Sequence, residues 1–108
     1  MVFLYLFLEV VLLIAVKVSG EEISIDGHAE YAEPGKDIIC SAVTALSFNL
    51  IYSMEALTED AIECDAEDPG HINIKFKDLS ERGKLLVDSF FIGLCSIAEE
   101  FPEYIRIE

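Results

Sequence analysis

The sequence predicts an α+β domain: a mixed, twisted sheet layered against two main helices, in the order β-β-α-β-β-α-β. Three observations point there. Short apolar–polar alternations at 21–26, 71–76 and 104–107 have the two-residue period of half-buried strands, whereas Ile39, Val43, Leu46, Leu50 and Met54, and later Leu86, Phe90, Leu94 and Ile97, recur at helical spacing. Turn residues punctuate these segments at Ser19-Gly20, Pro34-Gly35 and Pro69-Gly70. And 108 residues, 53% of them hydrophobic, suit a single domain with one modest core. Pattern alone sets no order of strands within the sheet.

The first strand falls within Leu13 to Val18, rich in β-branched residues though too apolar from Leu12 to Val16 to alternate fully. Ser19-Gly20 turns the chain into a second strand, Glu21 to Asp26, which makes a hairpin. The loop from Glu30 to Lys36 holds Pro34-Gly35, a pairing suited to a tight turn with proline first and glycine second. Asp37 suits the N-cap of a helix running to about Leu57, its carboxylate accepting the N–H of Ile39 or Cys40. The stripe from Ile39 to Met54 is the core face of that helix; Ser41, Thr44, Ser47 and Asn49 lie off it.

Within Thr58 to Glu67 lies a short acidic strand, with Ile62 and Cys64 facing one way. His71 to Phe76 follows as a strand with Ile72, Ile74 and Phe76 inward, and His71 opens it at a turn, where an exposed histidine needs no function. The second helix starts near Asp78 or Ser80, and Glu81 completes a capping box if Asp78 is the N-cap. Gly83 and Gly93 each weaken that helix by roughly 1 kcal/mol relative to alanine; Gly93 permits close packing with the first helix or with a second subunit. Cys95 reads as packing. Pro102 ends the helix, and Tyr104 to Ile107 alternates as the last strand.

Met1 to Val18 is almost wholly apolar, interrupted by Glu9 and Lys17. Read as a signal peptide cut near Val18-Ser19-Gly20, it lacks a basic n-region, and the cut would delete a strand from a small sheet. Its uncharged runs are too short for a membrane anchor. The domain is therefore placed at 10–108, with Met1 to Glu9 an atypical apolar extension: an extra strand, a membrane-touching segment or a consequence of start-site choice. Membrane association is not expected.

Charge narrows the function classes. With 21 acidic against 7 basic residues, the net charge is −14. Direct nucleic-acid binding wants a basic patch to neutralise phosphates, so none is expected. A basic partner would be drawn by long-range attraction, though a solvated acidic surface explains the same sign. Cysteines 40, 64 and 95 show no C-x-x-C step and no zinc spacing with His28 or His71. Reduced thiols in a cytoplasmic protein, with no metal and no cofactor, are the simplest account.

The chemistry concentrates at His28 and Cys40, twelve residues apart. The histidine follows the end of a strand, and the cysteine falls at about N3 of the first helix. Unpaired N–H groups and partial positive charge at a helix start favour thiolate over thiol, and an adjacent imidazole lowers the thiol pKa further and then serves as general acid. Asp37 works partly against this through its own charge. The alternative is a buried cysteine acting as a small hydrophobe, in a module that captures a peptide or an anion on helix N–H groups. Thr44, one turn after Cys40, points to the same side, where its hydroxyl serves either the dyad or its own i−4 carbonyl.

The run Gly27-His28-Ala29-Glu30-Tyr31-Ala32-Glu33-Pro34-Gly35-Lys36-Asp37-Ile38-Ile39-Cys40-Ser41-Ala42-Val43-Thr44-Ala45-Leu46 resembles the signature of the ribosomal-processing cysteine protease family, Prp. Ile97-Ala98-Glu99-Glu100-Phe101-Pro102-Glu103-Tyr104-Ile105 is similar to that family's C-terminus, and the likeness extends from about Leu12 to Ile107. The resemblance implies a catalytic dyad of His28 and Cys40, with Gly27, Asp37 and Thr44 in support. Asp37 either caps the helix or orients His28, and Thr44 stands where relatives commonly carry serine. It also implies a cytoplasmic, homodimeric endopeptidase without cofactor. Its substrate would be the precursor of the twenty-seventh large-subunit ribosomal protein of bacteria, from which it removes a short N-terminal extension. Phage-encoded relatives process other, basic targets.

Overall fold

The strands β1 (Ile14–Val18) and β2 (Glu22–Asp26) pair antiparallel as the predicted hairpin, and the Ser19 N–H donates to the Glu22 carbonyl at 2.9 Å to close the turn. The computed structural model describes residues 14–27, 34–66 and 71–108, with side chains of the first helix from 38 onward. The proposed extension Met1 to Glu9 lies outside them, as does His28. After the hairpin come helix α1 (Pro34–Leu57), β3 (Ile62–Asp65), β4 (His71–Phe76), helix α2 (Glu81–Glu100) and β5 (Ile105–Ile107). Among the described residues this is the α+β order read from the sequence.

Register explains why both helices share one face. The sheet order is β3-β4-β2-β1-β5, antiparallel throughout except for the parallel β1–β5 pair. Val16 lies opposite Ile25, Ile23 opposite Ile74, Ile25 opposite Ile72, and Ile14 opposite Ile105. Because side chains alternate along a strand, these pairings put Ile14, Val16, Ile23, Ile25, Ile72, Ile74 and Ile105 on one side. Glu22, Ser24, Asp26, His71, Asn73 and Lys75 take the other. It follows from the pairings that β3 runs parallel to β2, and β5 parallel to β4. Parallel strands need a long crossover, and α1 and α2 supply the two crossovers. Ile39, Val43, Leu50, Ile51 and Met54 of α1 and Phe90 and Leu94 of α2 complete one core with the strands. Leu46, Leu86 and Ile97 of the predicted stripes are half-buried at its margin.

Two local expectations are corrected, and a third is resolved between its alternatives. Helix α1 begins at Pro34, so Pro34-Gly35 starts a helix rather than forming a tight turn. Proline has no N–H to leave unsatisfied, and its fixed φ suits the first helical position. Asp37 then lies inside the helix and is not its N-cap. Second, Ser47 belongs to the core face: it is fully buried, and its hydroxyl donates to the Val43 carbonyl at 2.7 Å, which satisfies it within its own helix. Third, Ser80, and not Asp78, caps α2. The Ser80 hydroxyl accepts the Gly83 N–H at 3.1 Å, while Asp78 turns the chain two residues earlier with φ of 54°.

Asp60 reinforces that cap from the segment after α1, accepting both the N–H (3.1 Å) and the hydroxyl (2.8 Å) of Ser80. Gly93 resolves its two alternatives in favour of the first helix: a Cβ there would sit 3.3 Å from Leu46 Cδ2.

Candidate active site

Cys40 is the seventh residue of α1, one turn deeper than the sequence implied. The helix dipole acts mainly within the first turn, so the helix start acidifies this thiol less than an N3 position would. Cα–Cβ bonds tilt towards the helix N-terminus, however, so the side chain of Cys40 covers the preceding turn. There the backbone N–H groups of Gly35 and Lys36 have no partner within the helix. Cys40 is half-buried and packs against the core margin. It is thus held by packing but not sealed from solvent.

One turn on, Thr44 is exposed. Gly27 ends the described part of β2's continuation, and its reason is steric: a Cβ there would meet Ile14 Cγ1 at 3.0 Å. A larger residue there requires the Ile14 side chain to give way by a few tenths of an ångström. The pairing of His28 with Cys40 and the side chain of Asp37 lie outside the described residues; among those described, Cys40 and Thr44 stand one turn apart on α1.

That strand end carries a contact the sequence did not flag. Asp26 lies opposite His71 in the β2–β4 ladder, and its carboxylate Oδ1 is bonded to the His71 Nδ1. The other oxygen, Oδ2, accepts from Ser24 Oγ at 3.5 Å. One residue inward, Asn73 Nδ2 donates to Glu22 Oε1 at 2.5 Å. Knowledge of the strand pairing is needed to find these partners, which stand 45 and 51 residues apart.

The other two cysteines differ from Cys40. Cys64 sits on the edge strand β3, exposed, and its thiol pKa is pushed up by partial burial first and by the charges of Asp65 and Glu55 next. It is a poor nucleophile near neutral pH. Cys95 is half-buried on α2. Among the described residues no disulfide joins the three.

Cys40 sits half-buried early in the first crossover helix, and the match to a family model gives the class: a small cysteine protease. The chain belongs to the cysteine protease Prp family, whose model matches residues 10–106. It is 30% identical over 88 residues to the ribosomal processing cysteine protease Prp of Staphylococcus aureus, covering 80% of this chain and 83% of that protein. Its identity to the Bacillus subtilis Prp is 26%, over 75% and 78% of the two chains. The fold superimposes on the S. aureus Prp crystal structure with a substrate peptide at a TM-score of 0.78 and 26% identity, covering 88% of this chain and 95% of that one. A second S. aureus Prp structure, with a covalently linked product peptide, matches at a TM-score of 0.75 and 27% identity.

Proposed function

We propose that this protease removes a short N-terminal extension from the twenty-seventh large-subunit ribosomal protein, with Cys40 as nucleophile and His28 as its acid–base partner. The match to Prp over residues 10–106 carries the reading, because it includes both side chains in one motif. The Cys40 thiolate attacks the scissile carbonyl carbon, and His28 protonates the departing amine. Water, deprotonated by His28, then hydrolyses the thioester and regenerates the thiol. The N–H groups of the first turn of α1 serve as backbone donors to the oxyanion. Asp37 orients His28. No cofactor takes part.

The surroundings agree with this reading. A net charge of −14 attracts a basic ribosomal protein, or a basic target of phage type. Unpaired thiols at 64 and 95 suit the reducing cytoplasm. Ile38, Tyr52, Leu85 and Ile92 leave large apolar side chains on the outer faces of the two helices, 62–70% exposed, as a homodimer interface would require. Residues 38–57 are also apolar and long enough to cross a membrane, but their core face is spent on the sheet.

The test is direct: incubate the protein with the extended ribosomal precursor and read the products by intact mass. Wild type is expected to cleave, and Cys40→Ala to be inactive at an unchanged melting temperature. Cleavage by Cys40→Ala would overturn the mechanism. A reactive Cys40 without cleavage would move the search to another basic substrate.

A further inference from the structure

We infer that Asp26 and His71 are positioning residues for the catalytic histidine. The inference rests on the assignment of His28 and Cys40 as the dyad, and adds to it two side chains that touch neither reactant. Asp26 and His71 form the last register pair of the β2–β4 ladder, and the Asp26 carboxylate is bonded to the imidazole across the strands. His28 is two residues beyond that pair along the chain. The strand end is therefore clamped from both sides. On the outer face the Asp26–His71 bond ties β2 to β4, and Ser24 Oγ holds the other carboxylate oxygen. On the inner face Gly27 stands against Ile14 of β1, where an added Cβ would come within 3.0 Å of Ile14 Cγ1.

Position matters here more than strength. At 58% and 37% side-chain exposure, the pair contributes little to global stability. A clamp at the root of the His28 segment acts instead on where the imidazole starts, and a displacement of about 1 Å at a reacting group costs up to about a hundredfold in rate. The contact also survives titration of His71, because a neutral imidazole protonated on Nδ1 still donates to the carboxylate.

The test separates positioning from folding. Alkylation of Cys40 is followed by mass mapping of its peptide as a function of pH, alongside kcat and KM for cleavage, in His71→Ala, Asp26→Ala, the double variant, Asp26→Asn, Asn73→Ala and His28→Ala. His71→Ala and Asp26→Ala are expected to move the midpoint of Cys40 alkylation upward by about one pH unit, as loss of a nearby imidazolium does. They should lower kcat on the order of tenfold with KM little changed. The double variant should be no worse than either single one. Asp26→Asn, which keeps an acceptor oxygen, should retain most of the activity. Asn73→Ala, which removes the neighbouring cross-strand contact, should leave the midpoint in place. If His28→Ala shifts the midpoint and the Asp26 and His71 variants do not, the positioning role is wrong while the dyad stands. If His28→Ala itself does not shift it, the dyad is wrong and the positioning role goes with it.

Discussion

At the scale of single residues, the fold gives chemically similar side chains different work. The hydroxyls of Thr44 and Ser47 lie three residues apart on α1, one exposed and the other fully buried and bonded to its own i−4 carbonyl. Ser47→Ala removes that bond but gains helix propensity, so stability should change by less than about 1 kcal/mol. Ser47→Leu overfills the site and should cost about 1–3 kcal/mol. Urea unfolding of both variants checks the pair. The thiols are separated in the same way. Cys64, with its pKa raised by partial burial and by Asp65 and Glu55, stays protonated near pH 8. It should alkylate more slowly there than a small-molecule thiol, and Asp65→Asn should accelerate it. The sign for stability follows: a folded pKa above the unfolded one favours the fold below the ordinary thiol pKa. That contribution is lost as pH rises through the raised value.

At the scale of elements, helix ends decide more than helix interiors. The interior stripes of α1 and α2 follow from 3.6-residue spacing and are where the sequence placed them. The start of α1 does not follow. Pro34 opens it with a fixed φ that suits the first helical position, and Asp60 reaches the start of α2 from 20 residues away. Propensity and packing therefore oppose each other at Gly83. Alanine there should gain roughly 1 kcal/mol in a bare helix, yet its Cβ would stand 2.1 Å from Asp60 Oδ2 and break the bonds to Ser80. Gly83→Ala is expected to lower the melting temperature, and Asp60→Ala to cost about 0.5–2 kcal/mol as a lost cap. Gly93→Ala meets only the flexible end of Leu46 and should be close to neutral. Thermal unfolding of the three variants would reverse the ranking if propensity governed them.

At the scale of the whole molecule, charge and topology set what the protease meets and what it can hold. With a net charge of −14, association with a basic substrate is screened by salt. Raising ionic strength from about 0.05 to about 0.5 M shortens the Debye length from roughly 14 to 4 Å and should raise KM several-fold with kcat unchanged. A neutral peptide carrying the same cleavage site should show no such slope, and a salt-independent KM for the basic one would remove charge from the account of substrate choice. The sequence by itself determined the α+β class, the seven elements, the inward face of β4 and the motif bearing His28 and Cys40. Each of these is written in local periodicity or in contiguous residues. Only the tertiary structure decided the order β3-β4-β2-β1-β5, the burial of Ser47, the capping of α2 by Asp60 and the bond between Asp26 and His71. Those depend on pairings between residues far apart in the chain, as Ile14 with Ile105, or on the direction a helix faces when it docks, and neither has a local signature. The depth of Cys40 in α1 belongs with them, because a helix boundary, unlike its interior stripe, is not marked by periodicity.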